Sequence, residues 1–69
     1  MYNNPKELVQ DVSNILGVDY NIFSTDESGM NVIYKAYEED KYLANYKYEE
    51  LSEVFPTYDE AKSWLDSKI

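Results

Sequence analysis

The side chains in this sequence that could do chemistry are carboxylates, and they form two short runs, Asp26-Glu27 and Glu38-Glu39-Asp40. Carboxylate oxygens bind Ca²⁺ or Mg²⁺, and paired carboxyl groups hydrolyse glycosidic bonds when a cleft keeps one of them protonated. Neither run has the alternating Asp/Asn positions and the Gly of an EF-hand loop. A chain of 69 residues also has little depth for such a cleft. We therefore expect no catalytic residue, no metal site and no cofactor.

The residue types that are missing exclude more chemistry. The chain has no His, no Cys and no Arg, and its fourteen acidic residues face six lysines, which gives a net charge of −8. Catalysis by Cys–His or Ser–His–Asp, thiol redox chemistry and zinc binding by Cys or His are therefore excluded. Proteins that read nucleic acids use clustered Lys and Arg, so direct binding of nucleic acid is not expected.

The negative charge is concentrated in the second half of the chain. Residues 38–60 contain eight acidic residues against Lys41 and Lys47, a net charge of −6. One interpretation is a solvated surface that keeps a small domain soluble. The other is an array of anions that imitates duplex DNA, which carries one charge per roughly 1.7 Å of its axis. The residues predicted to form this array are Glu38, Glu39, Asp40, Glu49, Glu50 and Glu53.

Tyrosine is the second unusual feature, with eight in the chain. Tyr is enriched at protein interfaces because its large ring carries a polar tip, but a thin core also uses Tyr at its margins. For Tyr34, Tyr42 and Tyr46 we favour the core margin. Tyr37 precedes the acidic run, so we include it with the array as an aromatic anchor.

The elements that must position these residues begin with a helix over residues 5–16. Asn4 is its expected N-cap, Pro5 suits the first helical position, and Gly17 supplies the stop. A period of two then predicts strands over 20–25 and 30–37, joined by the polar turn 26–29 as a hairpin. In the second strand, Met30, Val32, Tyr34 and Ala36 form the more apolar face, which should contact the helix.

The segment after the acidic run fits two structures. Alternation over residues 41–48 predicts a third strand, followed by a short fourth strand or an extended connection over 51–55. The spacing of Ala44, Tyr48, Leu51 and Phe55 would instead suit a helix across 39–55. We favour strands because Tyr, which prefers pleated surfaces, dominates the segment.

A capping box, formed by Thr57 and Glu60, starts a final helix over about 58–67. The stretch from Val54 to Leu65 resembles the end of many small sheet-plus-helix modules, including the arm-binding domains of integrases. Those domains are basic and this chain is acidic, so the resemblance bears on fold alone. The predicted fold is one α+β domain over 1–69, an antiparallel sheet of three to four strands with both helices on one face, in the order α-β-β-β-(β)-α.

In size, charge and aromatic content, the whole chain resembles small acidic phage proteins that act as DNA mimics. The resemblance implies an inhibitor that occupies the DNA-binding surface of a basic host protein, such as a nucleoid protein, a nuclease or a repair enzyme. The preference for Lys over Arg suggests an AT-rich genome, that of a low-GC bacterium or its phage. Without a signal-peptide pattern or a long apolar run, we expect a cytoplasmic protein that binds no membrane.

The alternative function is an adaptor module whose acidity serves only solubility. It would bind a partner, or form a homodimer, through an exposed sheet face made by Ile33, Tyr37 and Leu43 or through a sheet edge. A domain this small has a thin core, so we expect a partner or a second copy to contribute to its stability.

Overall fold

A computed structural model describes residues 2–69 and contains two helices and four strands. The elements are α1 (Pro5–Leu16), β1 (Tyr20–Thr25), β2 (Val32–Ala36), β3 (Tyr42–Tyr46), β4 (Glu50–Leu51) and α2 (Tyr58–Asp66). The predicted α+β class and the order of elements are confirmed. Residues 42–46 form a strand, so a helix across 39–55 is wrong. The fourth strand is shorter and earlier than 51–55, although Phe55 still forms an isolated bridge to Tyr42.

The helices begin where their capping residues predict. The side chain of Asn4 accepts a hydrogen bond from the Lys6 N–H at 2.8 Å, which satisfies one of the free amides of the first turn of α1. Gly17 ends α1 with a φ of 87°, a conformation that favours glycine. In α2, Thr57 accepts from the Glu60 N–H at 3.3 Å. The N-terminal caps of both helices are therefore encoded locally.

The four strands form an antiparallel meander in the order β1-β2-β3-β4. Residues 20–22 of β1 pair with residues 36–34 of β2, and the register then shifts by one at Phe23, which forms a bulge. The Phe23 ring packs against the rings of Tyr42 and Tyr58, with centroids 5.3 and 5.2 Å apart. Alternation from Ile22, which pairs with Tyr34 on the α1 face, thus places a β1 aromatic on the side of the sheet that α2 covers.

The two helices pack on opposite faces of the sheet. Leu8, Val12 and Leu16 of α1 pack against Val32, Tyr34 and Leu43. Ala61 and Leu65 of α2 pack against Ile33 and Ala44. Successive side chains of a strand point to opposite faces. β2 and β3 therefore supply apolar residues both to the core under α1 and to the core under α2.

The prediction that both helices lie on one face is therefore wrong. Val32, Tyr34 and Ala36 are buried as predicted, but Met30 of the same predicted set precedes β2 and is exposed. The opposite face of β2 is also covered. Ile33 and Leu43, expected on an exposed face, are 1% and 0% exposed. The continuous apolar run Val32-Ile33-Tyr34 is typical of a strand that is buried on both faces. Among the helices that the structure describes, neither is long and apolar enough to span a membrane.

Candidate functional site

The first group of acidic residues forms the turn between β2 and β3, which we call the acidic turn (Glu38, Glu39 and Asp40). All three residues are exposed. Lys35 contacts the backbone of the turn, because its Nζ donates to the backbone oxygens of Ala36 and Glu39 at 2.9 and 3.2 Å. Lys41 forms an exposed ion pair with Glu39 at 3.3 Å. Within residues 2–69, Glu38 and Asp40 take part in no ion pair.

Asp19 lies beside the acidic turn, although it is distant in sequence. The Tyr37 N–H donates to the Asp19 backbone oxygen at 3.0 Å, which extends the pairing of β1 and β2 beyond both strands. Asp19, Glu38 and Glu39 line a shallow depression of about 220 Å³ at the end of α1. The last turn of α1 has no basic residue, so the negative end of the helix adds to the field there.

Asp19 was not included in the predicted array, yet the sequence contained the signal. A hairpin that starts at Tyr20 and ends near Tyr37 must bring residue 19 next to residue 37, because antiparallel neighbours lie opposite each other. Tyr37 itself is 61% exposed and lies next to the acidic turn, as expected of a residue available to a partner.

The second group of acidic residues, which we call the acidic corner (Glu49, Glu50 and Glu53), begins at the opposite end of β3, where Glu50 pairs with Tyr46. The chain then returns along β3, and since Ser52 donates to the Ala44 oxygen, Glu53 lies beside the middle of that strand. All three are exposed, and Glu50 pairs with Lys68 at 3.0 Å. The five residues of β3 separate Glu49 and Glu50 from the acidic turn, a distance of roughly 15 Å at the usual rise of a strand. The structure thus places Glu49 and Glu50 far from the acidic turn and Glu53 between the two.

The hairpin turn that carries the acidic corner has an unusual backbone. Lys47 and Tyr48 have φ values of 53° and 58°, which few residues other than Gly adopt. The Glu49 N–H donates to the Tyr46 oxygen at 2.9 Å and closes a two-residue turn. Positive φ at both central residues is the pattern of a type I′ turn, whose twist matches that of the strands. Asn and Gly usually occupy these positions, so the turn depends on support from elsewhere.

Two buried asparagines supply that support. Asn31 Oδ1 accepts from the Lys47 N–H at 3.1 Å, and Asn45 Oδ1 accepts from the Tyr48 N–H at 2.8 Å. Asn31 is 6% exposed and Asn45 is fully buried. Asn45 also donates from Nδ2 to the Met30 oxygen at 3.3 Å. Sequence reasoning missed both residues. The Asn31 bond spans sixteen positions and has no local signal in the sequence, whereas Asn45 and Tyr48 are three positions apart, a spacing at which Asn side chains bond the nearby backbone.

Asp26 extends this network to the β1–β2 turn. Its carboxylate accepts from the Asn31 Nδ2 at 2.6 Å, the Ser28 hydroxyl at 2.7 Å and the Gly29 N–H at 3.1 Å. These hydrogen bonds, with that from the Asn31 side chain foremost, lower the pKa of Asp26 to about 2. The Asp26 carboxylate therefore orders the turn. It does not suit general acid catalysis, which needs a raised pKa.

The N-terminal segment fastens the acidic corner from a third direction. The Tyr2 N–H donates to the Glu49 oxygen at 2.9 Å, and the Tyr2 hydroxyl donates to the carboxylate of Asp11 on α1. This hydrogen bond to Asp11 raises the pKa of Tyr2. Among the residues that the structure describes, no group of three or more Asp, Glu, His or Cys side chains is arranged to hold a metal ion.

Comparison with known proteins gives no further assignment. No family model matches the sequence, and no curated protein and no solved structure is significantly similar to it.

Proposed function

We propose that this protein is a non-enzymatic acidic inhibitor that occupies the DNA-binding surface of a basic host protein, as phage DNA mimics do. The observation that carries the proposal is the fixed, exposed acidic turn. Lys35 binds the backbone of this turn, while the carboxylates of Glu38 and Asp40 stay free of ion pairs within residues 2–69. Anions that are already in position cost less entropy to bind than those of a disordered tail.

The acidic turn is a better candidate for the main contact than the acidic corner. Asp19 adds a carboxylate beside the turn, and the exposed Tyr37 offers an aromatic surface to Lys or Arg stems of a partner. Each group has one ion pair, Glu39 with Lys41 and Glu50 with Lys68, so Asp19 and Tyr37 account for the difference. A partner that contacts both groups would have to span the length of β3, roughly 15 Å.

The adaptor alternative loses the surface first predicted for it. Ile33 and Leu43 lie in the two cores, so of the proposed sheet face only Tyr37 is accessible. A sheet edge is still accessible, and one observation favours it, because β1 has no partner on its outer side.

The proposal can be tested by capture from a low-GC bacterial lysate, with elution first by salt and then by duplex DNA. Mimicry predicts basic DNA-binding proteins in both eluates, because charge contacts weaken with salt and DNA competes for the same surface. Capture of only non-nucleic-acid-binding proteins that resist both treatments would contradict the mimic.

Matched charge variants then locate the contact. One triple variant changes the acidic turn (Glu38→Gln, Glu39→Gln, Asp40→Asn) and one changes the acidic corner (Glu49→Gln, Glu50→Gln, Glu53→Gln). A control triple removes as many charges elsewhere (Glu7→Gln, Glu27→Gln, Asp59→Asn).

The turn triple should make the slope of log affinity against log salt shallower by about two to three, since each phosphate-like contact contributes about 0.9. The control should change this slope much less. Equal effects of the turn and control triples would mean that net charge alone, and not the acidic turn, drives binding.

A further inference from the structure

We infer that β1 is a self-association edge, through which two copies of this chain join their sheets with antiparallel β1 strands. The inference concerns a surface distinct from the acidic turn and does not depend on the proposed function. It rests on the free backbone of β1, on an apolar groove beside it, and on the charges that the pairing would bring together.

The backbone groups of Tyr20 and Ile22 point away from the sheet. The Tyr37 N–H donates to the Asp19 backbone oxygen, on the β1 side of β2. The Ala36 N–H donates to the Lys41 backbone oxygen, on the β3 side. Because antiparallel pairs alternate between hydrogen-bonded and non-hydrogen-bonded types, the pairs Tyr20–Ala36 and Ile22–Tyr34 are of the second type. The N–H and C=O groups of Tyr20 and Ile22 are therefore directed outward from β1.

The two edges of the sheet are protected very differently. The β4 edge has two residues and is flanked by the carboxylates of the acidic corner. The β1 edge has six residues, Tyr-Asn-Ile-Phe-Ser-Thr, with no charge and no Pro. Charged residues, Pro, short strands and β-bulges are the usual means of preventing edge pairing, and of these β1 has only the bulge at Phe23. In a chain of net charge −8, β1 is thus the edge where another strand meets least repulsion.

A groove lies on the α1 face next to this edge, and each copy also carries a side chain to fill it. The groove has a volume of about 340 Å³ and a mostly apolar surface, and it is lined by Pro5, Val9 and Tyr20 together with the polar residues Lys6, Gln10 and Ser13. Ile22 lies on the same face of β1 and is 58% exposed. A strand added along β1 would place its own side chains on this face over the groove. The same chain therefore provides both a projecting Ile and an apolar site for it, as a two-fold interface requires.

One register both pairs the outward backbone groups and brings the Ile22 of each copy to the groove of the other. With the two-fold axis at Asn21, Tyr20 pairs with the second copy's Ile22, and Ile22 pairs with the second copy's Tyr20. All outward groups of these residues then exchange backbone hydrogen bonds. Asp19 lies opposite the second copy's Phe23, so no carboxylate of this segment faces another. The bulge at Phe23 ends the regular pairing, which keeps the contact short and the dimer weak.

The test is sedimentation equilibrium from about 10 µM to about 1 mM protein, where a weak dimer forms, at low salt and at about 0.5 M salt. The mean mass should rise from 8.1 kDa toward twice that value, and salt should strengthen the dimer by screening the repulsion between two acidic copies. Binding of a basic partner by the acidic turn has the opposite salt dependence, so failure of one proposal is distinguishable from failure of the other. A mass that stays at the monomer value at the highest concentration in high salt would overturn the inference.

Two variants of equal charge test the site. Ile22→Lys should weaken the dimer at least about tenfold, since it replaces the residue that fills the groove and costs a buried charge. Thr25→Lys, on the same strand but outside the paired residues, should change it less than about threefold, as expected of a surface substitution. Circular dichroism confirms that both fold. Equal weakening by both variants would contradict the register.

Amide NMR provides a readout that does not depend on any variant. Raising the concentration of labelled protein should shift the amide signals of Tyr20 and Ile22 and slow their hydrogen exchange, because these N–H groups become bonded. Shifts confined to Val18 and Tyr37 would overturn the inference. A short β-forming peptide of alternating Val and Thr, with Lys at each end for solubility, tests whether the edge accepts a different strand. If this peptide shifts the β1 amide signals and raising the protein concentration does not, the edge receives another protein's strand and the inference is overturned.

Discussion

Replacing Asn45 with Ala tests whether the buried asparagines hold the left-handed hairpin turn. The substitution removes the acceptor of the Tyr48 N–H, at 2.8 Å, and the donor to the Met30 oxygen, at 3.3 Å. An amide left without a partner costs about 1–3 kcal/mol, and the longer hydrogen bond contributes about 0.5–1 kcal/mol. We expect a loss of about 2–4 kcal/mol in the free energy of unfolding.

That loss is large for a domain of this size. At about 0.05–0.15 kcal/mol per residue, a chain of 69 residues is stable by roughly 3–10 kcal/mol. Urea unfolding, followed by circular dichroism, should show the midpoint falling by about 2 M or more with little change in slope, because small domains have slopes near 1 kcal/mol per M.

Two controls separate the hydrogen bonds from packing. Asn45→Leu keeps the number and branching of the side-chain heavy atoms but is larger and has no acceptor, so it should be at least as destabilising as Asn45→Ala. Asn14→Ala removes an exposed Asn with one weak hydrogen bond, from Gln10 at 3.3 Å, and should change stability by less than about 0.5 kcal/mol. Recovery of wild-type stability by Asn45→Leu, or a loss below about 0.5 kcal/mol in Asn45→Ala, would refute the role assigned to Asn45.

Three further predictions follow from individual side chains. The folded-state pKa of Asp26 is lowered from 3.8 to about 2, so the stabilisation by its carboxylate is present above pH 4 and lost toward pH 2. In urea titrations, the difference in unfolding free energy between wild type and Asp26→Asn should shrink from pH 4 to pH 2. Burial raises the pKa of Tyr34 from 10.0 to about 12, so the free energy of unfolding should fall as pH rises through that range. The fall should be smaller in Tyr34→Phe, and phenolate absorbance with circular dichroism would show whether Tyr34 ionises only on unfolding. Thr57→Ala should cost about 1 kcal/mol in thermal unfolding, whereas Thr57→Ser should cost much less, because Ser keeps the acceptor for the Glu60 N–H.

The elements of this fold could be predicted because their signals are local. Asn4 and Thr57 mark the helix starts, and Gly17 marks the end of α1. The alternation around Val32 and Tyr34 identified the face of β2 that α1 covers. Each of these signals depends on residues within a few positions of one another, where capping and side-chain alternation act.

The arrangement of the layers was not predictable in the same way. Whether α2 covers the face of α1 or the opposite one depends on contacts such as Leu65 with Ile33, which are far apart in sequence. Two signals favoured the observed answer, namely the unbroken apolar run at Val32–Tyr34 and the presence of both Leu43 and Ala44 in β3. Alternation taken alone predicts one buried and one exposed face, whereas this continuity indicates burial on both.

The candidate site was predicted only as a set of residues. Sequence proximity suggested one array from Glu38 to Glu53, but β3 separates Glu49 and Glu50 from the acidic turn and leaves Glu53 between the two. The contribution of Asp19 depends on strand pairing, and the support from Asn31 depends on a long-range hydrogen bond, whereas the hydrogen bond between Asn45 and Tyr48 spans only three positions. Composition places charge in a segment, whereas the register of the hairpins decides which charges are neighbours.

The burial of β2 and β3 on both faces has a consequence for how this chain can evolve. Four of the five residues of β2 and three of the five in β3 are buried, so few positions there tolerate a change of size or polarity. The acidic turn and the acidic corner lie outside these strands, where substitutions cost little stability. Selection can therefore alter the charge and shape of either end with little effect on folding.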